Sequence, residues 1–147
     1  AGQEKPQVYG IGGQGDAALN SIGVKHTALV GSDRYQTSYL VAKTFFGGWE
    51  DNGTPPAAVG FATGLTWPDA LSGGAFMGQH RGPLLLVDPV NGISPDTQLW
   101  LAGWAPYATD AYIFGGLKAV NQFAQDNYAS LIAGQRAGYT TRNNPKA

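Results

Sequence analysis

The sequence predicts an α/β fold, a sandwich with a mostly parallel central sheet flanked by helices, and three observations carry that prediction. Short β-type runs alternate with helix-compatible segments, Gly or Pro separates them, and several runs are continuously apolar rather than alternating. Strands that alternate with helices cross over into parallel sheets. A strand with no polar face is one covered on both sides. At 147 residues, 43% hydrophobic and 13% charged, the chain is long and apolar enough to bury a core.

Taken in order, the first run, Gln7–Ile11, ends in the pair Gly12-Gly13 before a helix. The second, His26–Val30, leads to Ser32 and Asp33, either of which suits the cap of a helix over Arg34–Phe46. The third, Ala57–Ala62, precedes Thr66 and Asp69, whose spacing resembles a capping box for a helix over Asp69–Gln79. Inside that helix Ala70, Ser72, Gly73, Gly74 and Ala75 are too small to hold a neighbour at normal distance, so close packing is expected there. The fourth run, Pro83–Val87, contains the all-apolar Leu84-Leu85-Leu86-Val87. Ser94-Pro95 then supplies a cap and a first-turn proline for a helix over Asp96–Trp104. Asp110–Phe114 is the fifth run. Val59, Phe61, Leu84, Leu85, Leu86, Ile113, Leu40, Val41 and Leu71 are expected to be buried, and Trp100 with Trp104, four apart, to form a packing stripe.

The chain also echoes itself. Val8-Tyr9-Gly10-Ile11-Gly12-Gly13 resembles Ala111-Tyr112-Ile113-Phe114-Gly115-Gly116, and both the tyrosines and the glycine pairs stand 103 residues apart. Gly31 and Gly134 keep the same interval. A period one domain long indicates a repeat array represented by little more than one unit.

Gly31-Ser32-Asp33-Arg34-Tyr35-Gln36-Thr37 resembles the opening of the cell wall-binding repeat 2 family of Gram-positive surface proteins, Gly-x-Asp-Arg-Tyr-x-Thr. Ala62-Thr63-Gly64 with Trp67-Pro68-Asp69-Ala70-Leu71-Ser72, then Gly82-Pro83-Leu84-Leu85-Leu86, then Ile113-Phe114-Gly115-Gly116 follow as the family's later blocks, in its order. The resemblance implies a Rossmann-like or Toprim-like fold. It also implies export, non-covalent attachment to an anionic wall polymer, and packing of three modules about a pseudo-threefold axis. It divides the chain into a closing segment of a preceding repeat, or the N-terminal part of the same domain, over 1–30. The repeat occupies 31–135 and a tail 136–147. Asp33, Tyr35, Thr37, Asp69, Gly115 and Gly116 become its structural motif. Where the family often carries Arg, this chain has Ala28.

Arg34, Arg81 and Lys118 are the candidate contacts for an anionic glycopolymer or peptidoglycan-associated polymer, since each flanks a strand end, where open α/β sheets hold ligands. The competing role for Arg34 is a bridge to Asp69 or Asp88. Trp67 reads as structural and Trp49 as the better surface aromatic. Gly10-Ile11-Gly12-Gly13-Gln14-Gly15 after a strand, with Asp33 further on, is the alternative signal, a turn for a nucleotide or small metabolite.

Nine basic against ten acidic residues leave a net charge of −1 with no basic cluster, which argues against nucleic acid. No run is long and apolar enough for membrane insertion. Without Cys, and with His26 and His80 isolated from acidic residues at ligand spacing, no metal site is expected. Nor is a cofactor or a catalytic triad, for Ser72 lies inside a helix. If the chain is a whole protein rather than an excised piece, one unit leaves module-packing surface uncovered, so self-association, a homotrimer before a dimer, is expected, with Gly73, Gly74, Ala75, Phe76 and Met77 as its candidate contact. Together these readings describe a secreted, non-catalytic wall-binding module.

Overall fold

The computed structural model describes residues 5–47, 54–104, 107–122, 124–126 and 128. Nine elements alternate along it: β1 Tyr9–Ile11, α1 Gly12–Ser21, β2 Thr27–Leu29, α2 Arg34–Phe46, β3 Ala58–Thr63, α3 Pro68–Gln79, β4 Leu84–Val87, α4 Pro95–Trp104 and β5 Asp110–Phe114. Every strand pairing is parallel, as the alternation requires. Among the described residues the strands fall into two sheets, however: β1 pairs with β2 alone, while β4, β3 and β5 form a second sheet with β3 central.

The fully buried run of β3 explains that central place, since both its faces are covered. On one face Val59, Phe61, Leu85 and Val87 meet Trp100, Leu101 and Trp104 of α4, with Ala42 of α2, Val120, Ala124 and Tyr128 closing the cluster. Each large side chain withdrawn from water there contributes roughly 1.5–3 kcal/mol. Trp100 and Trp104 do form the expected stripe, and both indole N–H groups donate to one acceptor, the Gly47 carbonyl that ends α2, at 2.8 and 3.1 Å. Tyr128 stacks on Phe61 with centroids 4.9 Å apart. Burial first, and then the charge of Asp88, push its phenol up to about 12.

On the other face α3 lies close to the sheet because both sides lack side chains. A Cβ on Gly60 would sit 2.6 Å from Met77 Cγ, and one on Gly73 would sit 2.7 Å from Phe114 Cγ. Gly73 and Met77 thus serve their own sheet rather than a neighbouring molecule, whereas Phe76 lies at the surface against His80, Tyr112 and Phe114. The same arrangement corrects the expectation for Leu71. Two residues before Gly73, it points away from the sheet and is 71% exposed. Val59, Phe61 and Leu85 are buried as expected, and Leu40, Val41, Leu84, Leu86 and Ile113 are half-buried.

The helix starts divide. Asp33 caps α2 by accepting from the Gln36 N–H at 2.8 Å, and Ser94 caps α4 by accepting from the Thr97 N–H at 3.3 Å. At α3 the capping box expected from Thr66 and Asp69 is absent: the cap residue is Trp67, with no side-chain hydrogen bond. Pro68 is pre-set for the first helical position, which moves the start one residue earlier than Asp69.

Candidate functional site

In a parallel sheet all strands point one way, so the loops after β3, β4 and β5 gather on one rim. The start of α2 joins them there. Arg34 donates through Nη1 to the carbonyl of Gly64, the residue after β3, at 2.5 Å. Its guanidinium carbon lies 5.9 Å from the centre of the Trp67 ring. Among the described residues it makes no ion pair with Asp69 or Asp88. Gly64 permits this approach, because a Cβ there would lie 2.5 Å from the Tyr35 ring and 3.0 Å from Arg34.

The motif residues hold this corner together. Tyr35 donates to Asp88 Oδ2 at 3.2 Å, joining α2 to the loop after β4. Asp88 also accepts from the Val90 and Asn91 N–H groups at 2.8 Å each. These amides, Asn91 foremost, hold its carboxyl below the usual range, while burial first and Asp88 second raise the Tyr35 phenol. Thr37 accepts from the Gly31 N–H at 3.1 Å and donates to the Asp33 carbonyl at 2.8 Å. Gly31 has no room for more, since a Cβ would lie 2.5 Å from the Thr37 nitrogen. Asp69 reaches the turn after β5: a Cβ on Gly115, whose φ is +105°, would meet its Oδ2 at 2.7 Å. Gly116 starts the next turn, its carbonyl accepting from Ala119 at 2.8 Å and Val120 at 3.0 Å.

Of the three candidate cations, two share this rim. Lys118 follows β5 and is exposed beside Leu117. Arg81 precedes β4 and therefore lies at the opposite end of the sheet. Its φ of +50° has another use. The Arg81 N–H donates to the Gly78 carbonyl at 3.3 Å and the Gly82 N–H to Met77 at 3.0 Å, a Schellman ending for α3.

The rim carries apolar residues as well as cations. Leu65, Trp67, Val90 and Leu117 come from all three loops, and each is exposed, Trp67 by 63%. Trp67 is the residue that reading the sequence assigned to structure alone. Its place before Pro68 at a helix start was the available signal, since a cap residue stands outside the packed part of its helix. Trp49, the sequence's preferred surface aromatic, lies outside the described residues.

The glycines of the alternative turn have local roles. A Cβ on Gly10 would lie 2.8 Å from His26 Cδ2 and 2.9 Å from Asp16 Cα, and Gly12 has a φ of +68°. Asp33 is engaged in capping α2. No group of three or more potential metal ligands is found among the described residues, and no helix there is long and apolar enough to cross a membrane.

Residues 28–124 match the family described as cell wall binding domain 2 (CWB2). Among solved structures, the fold is similar to Cwp8 from Clostridium difficile, with a TM-score of 0.65 and 22% identity, over 90% of this chain and 21% of that one. The chain thus spans about a fifth of that protein's length. No curated protein matches it.

Proposed function

Because the chain belongs to the cell wall binding domain 2 family, we propose that it is a secreted, non-catalytic module that grips an anionic wall glycopolymer or peptidoglycan-associated polymer of a Gram-positive bacterium. The observation that carries the anionic partner is Arg34, held between the Gly64 carbonyl and the exposed Trp67 ring. A guanidinium has five N–H donors, and the bond to Gly64 uses one of them. The others suit phosphate or carboxylate oxygens, while Trp67 offers a face on which a sugar ring packs. Lys118 adds a second charge on the same rim, whereas Arg81 lies at the opposite end and takes no part in it. One such site is weak alone. A polymer that repeats its charges along several modules turns weak contacts into firm attachment.

Co-sedimentation with purified Gram-positive walls tests this reading. The unaltered chain should pellet with walls and be released by high salt, because exposed ionic contacts are screened within about 8–10 Å at 0.1–0.15 M salt. Stripping the anionic polymer should abolish binding, and Arg34→Ala, Trp67→Ala and Lys118→Glu should each weaken it. Binding unchanged by stripping would assign the wall glycan or peptide instead. A rise in melting temperature with a dinucleotide would favour the Gly10–Gly15 turn as a binding site, since a ligand that binds only the folded state stabilises it.

A further inference from the structure

Tyr128 carries a hydroxyl that the core does not satisfy. The residue is 1% exposed and its ring stacks on Phe61 of β3, yet among the described residues its O–H has no hydrogen-bond partner. Buried polar groups are nearly always paired, with protein or with ordered water, because an unpaired one loses its hydration and gains nothing in exchange. The Tyr128 hydroxyl therefore calls for a polar partner inside the protein.

Two further groups with unused capacity lie near it. Side chains alternate along a strand, so Thr63 shares the face of Val59 and Phe61, one step nearer the rim. Thr63 is 2% exposed; its Oγ1 accepts from the Leu65 N–H at 3.2 Å, and its own proton has no acceptor among the described residues. Opposite Thr63 stands Val87, the residue before Asp88. The Asp88 carboxylate accepts two N–H groups at Oδ1 and the Tyr35 hydroxyl at Oδ2, three bonds of the roughly four that its lone pairs can take. The segment leading to Tyr128 is fastened beside Asp88, since the Asn121 side-chain amide donates to the Pro89 carbonyl at 2.8 Å. After burial, the charge of Asp88 is what raises the Tyr128 phenol, so the carboxylate is close, but no hydrogen bond joins the two.

We infer that a water molecule is held at the rim end of β3, accepting from the Tyr128 and Thr63 hydroxyls and donating to Asp88 Oδ2. About three bonds are the usual complement of a buried water. The count of donors selects water over a metal cation, which would take the lone pairs of both hydroxyls and leave both their protons unpaired. The site joins the end of β3, the loop after β4 and the segment after β5. Through the Asp88–Tyr35 bond it also reaches the start of α2, which carries Arg34. The inference stands whether or not the rim holds a polymer.

A crystal structure of the full 147-residue chain at atomic resolution tests this. The expected result is an ordered water within about 2.5–3.0 Å of Tyr128 Oη, Thr63 Oγ1 and Asp88 Oδ2. A peak ringed by oxygen ligands at about 2.3–2.6 Å would identify a cation such as calcium and overturn the inference. A direct Tyr128–Asp88 bond, or no water touching both groups, would overturn it equally. In solution, nuclear magnetic resonance should show magnetisation passing from this water to the Thr63 and Tyr128 protons. Tyr128→Phe keeps the ring on Phe61 and removes one bond, so the water should exchange with solvent about tenfold faster, the worth of roughly one hydrogen bond. The Phe61 amide in central β3 reports that the fold is intact. An exchange rate unmoved by Tyr128→Phe in a folded protein would count against the inference as decisively as an absent water.

Discussion

His26 shows how one side chain fixes a junction. Its Nδ1 faces the Val24 carbonyl at 2.7 Å and its Nε2 faces Asp16 Oδ1 at 2.8 Å, and the side chain is 6% exposed. Only the doubly protonated ring donates to both, so the Val24 carbonyl first and the Asp16 carboxylate second raise its pKa above 6.5. The stabilisation is therefore complete below pH 6.5 and is lost as pH rises through the raised value. The ring protons of His26 should titrate above 6.5, and His26→Gln should flatten the fall in melting temperature on the alkaline side; a His26 midpoint at or below 6.5 would refute this. At Arg81 the strain is in the backbone, since a left-handed φ costs a side-chain-bearing residue about 1–2 kcal/mol. Arg81→Gly should raise stability to urea by about 1 kcal/mol and leave wall binding unchanged. Glycine stands instead at Gly82, where a Cβ would lie 2.1 Å from the Ala58 carbonyl oxygen.

At the scale of elements, α3 contains its own control. Ala in place of Gly gains about 1 kcal/mol of helix propensity when nothing is in the way. Gly78 has that freedom, with nothing within 4 Å of a Cβ, and Gly78→Ala should stabilise by about that amount. At Gly73 the new methyl meets the root of the Phe114 ring, which has little room to yield, so Gly73→Ala should cost about 1–2 kcal/mol net in a denaturant titration. The sequence displayed the small residues of this helix but not which of them face the sheet. Leu71 was misjudged for that reason, because hydrophobicity does not report direction. Strands and capped helices were legible since their signals are local: Asp33, Ser94-Pro95 and the run Leu84–Val87 act over a few residues. The rim was legible only in part. That Arg34 joins Trp67, and that Arg81 lies at the far end, follows from pairing between segments distant in sequence.

At the scale of the molecule, Phe76 lies at the surface beside β5 with its aromatic neighbours Tyr112 and His80, a face on which a second copy could pack if repeat units bury surface against one another here. The isolated chain is expected to self-associate, as a trimer before a dimer. Light scattering at micromolar concentration checks it, and a mass that stays near 15.4 kDa as concentration rises would rule it out. The β1–β2 pair has a mechanical meaning as well. The two strands run parallel, so tension that draws the chain's beginning away from its later part pulls β1 from its first residue and β2 from its last. Those points are at opposite ends of the pair. The strands are thus asked to slide rather than to peel, and their hydrogen bonds carry the load side by side instead of parting one after another. Tension along the chain would therefore load this short junction in shear, the geometry in which a pair of strands resists most.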